Sequence, residues 1–370
     1  MKTIVLIIVF FGGIVTAVGQ ERYYFKIPTK AKARYEIDLK NSNIYNTDTI
    51  NFKIESLTLL KPEKSWRNDN LRLIAVNGNM IYTKDSKGVN LYLFDINGNP
   101  IRKIDLSKFD KHFKITDSEI YNDTLYLVDN ESLFLFKFSS VGDLIAKETL
   151  TFNFEDFNIN KQGIFFISKH LDEKKEKGVR IGLFDFSLDL LKLYFVTDRQ
   201  NVTELRPKFF KGEGDETLFS ITACNQIYNL EKDRVSLYLE TYTGSYIGDY
   251  TYGLGFHFLK EAFPVKGQPY FDVITYYFPK EKLKDGIRFQ SYSPYDLAVL
   301  LFNGSKIYKE TYINITDMME VQIPKILEMK WAKDHKYIKE KLLGLIKQVD
   351  EINKFVVTRY KVIENPDVVN

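Results

Sequence analysis

The sequence predicts an all-β fold, a six-bladed β-propeller with a short C-terminal amphipathic helix. Short apolar runs separated by turn residues fill most of the chain, which is typical of antiparallel strands. A unit of four such runs returns about every 45 residues, an interval in the range of one propeller blade. A helical pattern and one more strand follow the last unit. Together these observations indicate a ring of repeated sheets.

The clearest unit spans residues 71–105. Its four apolar runs are separated by Asn77-Gly78, by residues 85–88 and by Asn97-Gly98. Asn-Gly pairs tolerate the positive φ that two-residue hairpin turns need, so each pair predicts a hairpin. A four-stranded meander cannot bury both of its faces alone. It must therefore pack against units like itself.

Further copies of this unit follow along the chain. Their anchor aromatics, Phe94, Phe136, Phe184 and Tyr228, lie 42, 48 and 44 residues apart. Dividing residues 71–362 by an interval of about 45 residues gives about six units. Beyond Tyr238 the pattern is harder to follow, and the candidate strands there are 272–278, 297–302 and 306–308.

The two ends of the chain predict how the ring closes. The segment after residue 20 begins irregularly and then alternates apolar and polar residues in Tyr35–Leu39 and Phe52–Leu57, as half-buried strands do. Residues 332–350 carry apolar side chains mostly at three- and four-residue steps, which predicts an amphipathic helix. The last strand, Phe355–Val362, is expected to pair with the N-terminal segment and so remove exposed edges.

Residues 1–20 have the pattern of a secretory signal peptide. Lys2 precedes a short apolar core, and the small residues Ala17 and Gly19 favour cleavage after Gly19 or Gln20. The alternative is an uncleaved membrane anchor, for which the apolar run is short. Residues 21–370 are then expected to form a single domain that is periplasmic or extracellular and has no membrane span.

Composition excludes several classes of protein. The 370 residues include 52 Lys and Arg against 49 Asp and Glu, with no basic stripe, so no nucleic-acid partner is indicated. Cys224 is the only cysteine, which excludes an internal disulfide. A lipoprotein would need a cysteine at the cleavage point, so the chain is not expected to be one. An exported domain without disulfides suits a bacterial envelope.

The chain resembles the six-bladed β-propeller proteins that Bacteroidetes export, a group related in fold to NHL and TolB-type propellers. The features that carry the resemblance are the signal peptide, the Ile54–Leu57 strand, the blade motif Leu91–Ile104, and the C-terminal helix followed by Glu351–Val357. The family has Asn-Pro before its closing strand, where this chain has Asn353-Lys354, and many members are lipoproteins. The resemblance implies a propeller fold and an envelope location, whereas the activity of the family is mostly undefined.

No catalytic motif stands out in the sequence. The four histidines, His112, His170, His257 and His335, have no metal-ligand spacing. Asp95 and Asp185 hold equivalent blade positions, where we expect them to cap turns.

Residues 238–258 form an unusual stretch that is dense in aromatic residues and glycine. Aromatic faces with polar anchors beside them can hold a sugar or a peptide. The candidate ligand contacts are Tyr242, Tyr246, Asp249, Tyr250, Tyr252 and His257. The alternative is a long hairpin that packs its rings against the next blade.

Two classes of function remain open at this point. The first is a non-catalytic binding or scaffold module of the envelope that recognises a glycan, peptide or protein partner and has no cofactor. The second is a propeller enzyme, such as a lactonase or a glycan hydrolase or lyase, with calcium as a possible metal at the blade axis. A cluster of three or more inward Asp, Glu or Asn side chains from different blades would favour the enzyme.

Overall fold

The structure is a computed structural model that describes most of the chain after residue 20. The described ranges are 21–26, 31–46, 52–66, 70–169, 171, 178–197, 207–221, 225–231, 234–242, 246–253, 256–264, 271–289, 306–308, 311–317 and 336–362. The predicted signal peptide and the candidate strand at 297–302 lie outside these ranges. Within them, no helix is both long and apolar enough to cross a membrane.

Five antiparallel meanders of four strands make up most of the described chain. The first is β5 (Arg72–Asn77), β6 (Met80–Lys84), β7 (Asn90–Asp95) and β8 (Pro100–Asp105). The second is β9 (Asp117–Tyr121), β10 (Thr124–Asp129), β11 (Phe134–Phe138) and β12 (Leu144–Thr149). The third is β13 (Asp156–Asn160), β14 (Gly163–Ile167), β15 (Val179–Phe184) and β16 (Leu190–Thr197).

The fourth and fifth meanders continue the pattern. The fourth is β17 (Lys208–Lys211), β18 (Thr217–Ser220), β19 (Gln226–Leu230) and β20 (Val235–Thr241). The fifth is β21 (Tyr246–Gly253), β22 (Phe256–Pro264), β23 (Phe271–Pro279) and β24 (Asp285–Phe289). A closing sheet contains β25 (Lys306–Tyr308), β26 (Thr311–Asp317), β27 (Phe355–Val362) and β4 (Phe52–Leu59).

The first strands of successive meanders contact one another. These contacts join β5 to β9, β9 to β13, β13 to β17 and β17 to β21, and β25 of the closing sheet contacts β5. Because neighbouring sheets meet through their first strands, these strands surround a common axis. The fold is therefore a β-propeller, as the recurring unit predicted.

The hydrogen-bonded sheets differ from the prediction of six separate four-stranded blades. The described strands form five sheets, one of which has ten strands. The large sheet arises because β17 and β21 make one parallel bridge, between Lys211 and Thr251, which joins the fourth and fifth meanders. Strands from the N-terminus lengthen it further, since β2 (Tyr35–Ile37) and β3 (Asn43–Asn46) pair at its two edges.

The N-terminal strands β1 (Glu21–Lys26), β2 and β3 form an arm on the outer edges of three meanders. Each pairs in parallel with a fourth strand: β1 with β16, β2 with β20, and β3 with β24. The expectation that the chain begins irregularly is wrong for β1. That strand is defined by its pairing with β16, a partner more than 160 residues away that local sequence does not reveal.

Two predictions about the ends of the chain are confirmed. β27 pairs antiparallel with β4, so the C-terminal strand and the N-terminal segment close the last sheet together. The predicted helix is present as α1 (Lys336–Ile346), which ends before residue 350, and positions 332–335 of the pattern lie outside the described residues. Two 3-10 helices, Lys64–Trp66 and Leu106–Lys108, complete the described helical turns.

The apolar core lies between neighbouring sheets. Leu91 and Leu93 of the first meander share one buried cluster with Leu125 and Leu127 of the second, for example. Another cluster joins the closing sheet to the first meander through Phe355, and it includes the buried Trp66. Each meander thus buries its faces against the next, which is why the units cannot fold singly.

The turn between the third and fourth strands of a meander follows the predicted chemistry. Asp95 accepts hydrogen bonds from the backbone N–H groups of Asn97 (2.9 Å) and Asn99 (2.8 Å), and Asp185 does the same for Ser187 and Asp189. These bonds confirm the capping role of both aspartates.

The glycine of the first of these turns also approaches another sheet. Gly98 has φ +81°, and a Cβ atom placed there would lie 2.1 Å from the carbonyl oxygen of Leu59 in β4. Only glycine fits this contact between the first meander and β4, because the Cβ atom of any other residue would clash with the backbone of β4.

Candidate functional site

Three neighbouring first strands begin with charged residues at one end of the axis. Asp117 begins β9, Asp156 begins β13 and Lys208 begins β17. The strands run in the same direction, since the carboxylate of Asp156 accepts a 2.7 Å hydrogen bond from the N–H of Phe209, at the start of β17. The fold thus brings two carboxyl groups and an amine from three blades to one place.

Asp156 is held at the junction of these strands. Its Oδ1 accepts the N–H of Phe157 at 3.0 Å, and its Oδ2 accepts that of Phe209. Burial, followed by the charge of Asp117, raises the pKa of Asp156 to about 7, although both N–H groups and Lys208 favour the charged form. Near neutral pH the two carboxyl groups therefore carry less than two full negative charges.

A second layer of polar groups lies further along the strands, two residues on in β9 and β13 and three residues on in β17. Glu119 of β9 forms an ion pair with Lys211 of β17, with 2.6 Å between Oε1 and Nζ. The same Nζ lies 3.5 Å from Oδ1 of Asn158 in β13. Residues at i and i+2 share one face of a strand, so the two polar residues of β9, and likewise those of β13, form a row. Lys208 and Lys211 are three residues apart and lie on opposite faces of β17. We call these six residues the axial cluster: Asp117, Glu119, Asp156, Asn158, Lys208 and Lys211.

The residues of the axial cluster were not predicted from the sequence as a functional site. The only local signal was polar alternation in two otherwise apolar runs, Asp117 with Glu119 and Asp156 with Asn158. Such alternation is ordinary in half-buried strands. Which blades bring their polar rows together depends on the ring, and sequence spacing does not show it.

A metal centre is not formed by the described part of the chain. No group of three or more His, Cys, Asp or Glu side chains that could hold an ion occurs among those residues. Cys224, His170 and His335 lie outside the described ranges.

The aromatic hairpin is present as β21 and β22, and it does not place its candidate residues on one surface. Tyr250 and Tyr252 are buried, and His257 has 0% exposure. Tyr242 lies just beyond β20 and is 46% exposed. The side chains of Tyr246 and Asp249 are outside the described part of the structure. The role of these six residues in ligand binding stays a prediction.

The buried members belong to a cluster between the fourth and fifth meanders. Nδ1 of His257 lies 2.8 Å from the hydroxyl of Tyr250. The rings of Tyr35 and Tyr252 meet the imidazole edge-on, with centroids at 4.5 and 5.0 Å. Tyr35 belongs to strand β2, so the arm covers this cluster. We call the set Tyr35, Tyr238, Tyr250, Tyr252 and His257 the histidine cluster.

Charged residues surround the histidine cluster. Arg34 of the arm pairs with Glu216 at 2.8 Å, and Lys280 pairs with Glu213 at 2.8 Å. Burial, Lys280 and Arg34 lower the pKa of His257 to about 4, and Glu213 opposes them only in part. The ring is therefore neutral at neutral pH, and its buried Nε2 has no hydrogen-bond partner within the described part of the chain.

Comparison with known proteins finds similar solved folds from Bacteroides. The chain is 12% identical to a Bacteroides fragilis protein predicted to be exported, with a TM-score of 0.62 over 88% of this chain and 99% of the other. It is 12% identical to a member of the DUF4221 family from Bacteroides vulgatus, with a TM-score of 0.51 over 84% and 97% of the two chains.

No protein-family model and no curated protein matches the sequence. At 12% identity, the two structural likenesses show the fold alone. The chain thus shares the fold of these Bacteroides proteins over 84–88% of its length.

Proposed function

We propose that this protein is an exported, non-catalytic binding module of the bacterial envelope whose ligand contacts the axial cluster. The observation that carries the proposal is the convergence of Glu119, Asn158 and Lys211 from three blades, beside the two carboxyl groups that begin the same strands. The partner is a glycan, a peptide or another protein. The axial cluster offers both acceptors and donors, which suits a polar ligand bound by several hydrogen bonds.

Lys211 is the residue on which to test this proposal. Its side chain is about half exposed and links Glu119 to Asn158, so a ligand can reach it. The probes are a panel of soluble polysaccharides, measured by calorimetry, and a pull-down from envelope extract. We expect Lys211→Met to weaken binding of whichever probe binds the wild type by tenfold or more, or about 1.4 kcal/mol. The matched control is Lys87→Met, at an exposed hairpin of the first meander.

Two results would count against the axial cluster. One is unchanged binding by Lys211→Met, and the other is equal loss in the Lys87→Met control. Variant Tyr242→Ala tests the aromatic hairpin in the same assay, since Tyr242 is the exposed member of the predicted ligand-binding set.

A propeller enzyme is the second candidate, and the carboxyl pair favours it. A pair of acidic groups of which one titrates near pH 7 can supply general acid and base chemistry to a lactone or a glycosidic bond. Calorimetry with calcium before and after chelation separates the two candidates. Tight, stoichiometric calcium binding would support an enzyme with a metal at the axis, and lactones and glycans would then be screened as substrates. Absence of calcium binding would favour the binding module.

We also propose that the ring has six blades. Each of the five meanders would be one blade, with the ten-stranded sheet counted as two, and the closing sheet the sixth. The chain of contacts from β25 through β5 to β21 supports this count. An experimental structure with five or fewer sheets around the axis would refute it.

Export and family membership belong to the same proposal. The signal-like residues 1–20 and the Bacteroides fold likeness support an exported, non-lipidated member of the Bacteroidetes propellers related to NHL and TolB types. N-terminal sequencing of the protein recovered from a bacterial periplasm tests the cleavage. A mature chain beginning at Gln20 or Glu21 is the expected result.

A further inference from the structure

The arm is fixed at its middle by a very short strand. β2 has three residues, Tyr35–Ile37, whereas β1 pairs over six. Outside those pairs, Arg34 donates its N–H to the carbonyl of Leu237, and Tyr242 donates its N–H to the carbonyl of Ile37. Few backbone bonds hold this part of the arm, so its attachment depends on the side chains beneath it.

Those side chains are the histidine cluster. Tyr35 packs edge-on against His257 at 4.5 Å and against Tyr238 at 5.2 Å. The guanidinium of Arg34 lies over the rings of Tyr35 and Tyr238, at 5.1 and 5.7 Å from their centroids. The arm therefore seals the imidazole from water, and the imidazole in turn provides the surface on which Tyr35 rests.

The sealed site fits a neutral imidazole and not a charged one. A neutral ring has one donor and one acceptor nitrogen, so with Nδ1–H donating to the hydroxyl of Tyr250 the bare Nε2 can stay unprotonated. An imidazolium would carry a proton on both nitrogens, and Nε2 faces no acceptor among the residues that the structure describes. A buried charged donor without a partner is strongly disfavoured.

The charges around the ring add to this preference. Two cations face it, Arg34 from the arm and Lys280 from the turn after β23. Two carboxylates face it from the turn between β17 and β18, but Glu216 is paired with Arg34 and Glu213 with Lys280. The remaining groups are phenols: Tyr35, Tyr238, Tyr250 and Tyr252. Among the described residues, both nearby carboxylates are thus already paired with a cation, which limits how far they can neutralise a new positive charge.

We propose that the histidine cluster is an acid-sensitive latch, which holds β2 of the arm on the fourth meander at neutral pH and releases it when His257 gains a proton. Lifting β2 exposes the ring to water. The main interaction lost is the three-residue pairing between β2 and β20. It also uncovers the outer edge of β20, which could then pair with another strand.

The direction of the pH effect follows from the pKa of His257. That pKa is lowered to about 4 with the arm closed, from 6.5 for the free side chain. The closed arm thus has its full stability above about pH 6.5 and loses it progressively as the pH falls toward 4. One proton taken up on opening corresponds to a rise of up to about tenfold in the opening constant for each pH unit.

Hydrogen–deuterium exchange of the full mature chain, corrected for intrinsic rates, tests the latch. Between pH 6.5 and 4.5, we expect exchange in residues 34–38 to increase by up to about 40-fold. Exchange in β1, at the start of the same arm, should stay nearly constant. Variant His257→Phe keeps an aromatic ring and cannot titrate, so it should show no such increase. Variant His112→Phe, at an exposed histidine, should behave as wild type.

A second variant keeps the test decisive if His257→Phe does not fold. Lys280→Met removes one of the two facing cations, so the closed state tolerates the proton better and the rise in exchange should be smaller. The proposal is overturned if residues 34–38 exchange independently of pH in the wild type. It is equally overturned if His257→Phe keeps the wild-type slope, or if β1 and β2 open together.

Discussion

The outer rim of the propeller has two kinds of edge, which differ in burial and in sequence. The fourth strands β16 and β20 carry an arm strand and bury most of their apolar side chains. No described strand pairs with the outer edges of β8 and β12. Phe195 of β16 is 3% exposed, whereas Ile145 of β12 is 58% exposed.

The sequences of these strands explain the difference. β16 reads LLKLYFVT, and its apolar end is covered by Tyr24 and its neighbours. β12 reads LIAKET and β8 reads PIRKID, both with charged residues in their second halves. Charges and a leading proline are common protections for an unpaired edge. The bare strands are thus suited to water, whereas the covered strands need a partner.

The largest expected effect comes from removing the arm. A chain that lacks residues 21–46 exposes the apolar strands β16 and β20 as open edges. We expect the melting temperature to fall by about 10 °C or more, since the lost burial is worth several kcal/mol. Size-exclusion chromatography should also show aggregates. A monomer with an unchanged melting temperature would show that the covered and bare edges do not differ in their need for a partner.

A pair of truncations compares the two edges one residue at a time. Phe195→Ala should lower the free energy of unfolding by about 3–5 kcal/mol, because it leaves a cavity under the arm. Ile145→Ala should change it by no more than about 0.5 kcal/mol, because the side chain is already in water. Denaturant unfolding measures both. Similar losses would mean that β12 is covered in solution by something other than the arm.

The smallest of the three effects concerns how a bare blade is held in the ring. The first meander has no arm strand and instead meets the closing strand β4 at Gly98. Gly98→Ala should cost about 3 kcal/mol, because its Cβ would meet the carbonyl oxygen of Leu59. Gly78→Ala is the matched control, with φ +54° and open space, and should cost about 1–2 kcal/mol. If thermal unfolding shows that Gly98→Ala and Gly78→Ala lose equal stability, the contact of Gly98 with β4 does not hold this blade in the ring.

Much of the candidate site could not be predicted from sequence, and the reason differs between its parts. The aromatic density of the sequence pointed to Tyr250, Tyr252 and His257. It did not point to Arg34 and Tyr35, the arm residues that cover them. Those residues are more than 200 positions away from His257. The carboxyl pair Asp117 and Asp156 carried no motif, since each is an ordinary first residue of its strand.

The sequence by itself determined the features that depend on neighbours along the chain. Hairpins at Asn77-Gly78 and Asn97-Gly98, the caps of Asp95 and Asp185, and the recurring four-strand unit are local, because turn geometry and side-chain alternation involve only a few residues. Only the tertiary structure decided the parallel pairing of the arm, the bridge that joins the fourth and fifth meanders, and the convergence of the axial cluster. These arise from packing between distant segments, where the partner is selected by burial and charge and not by spacing.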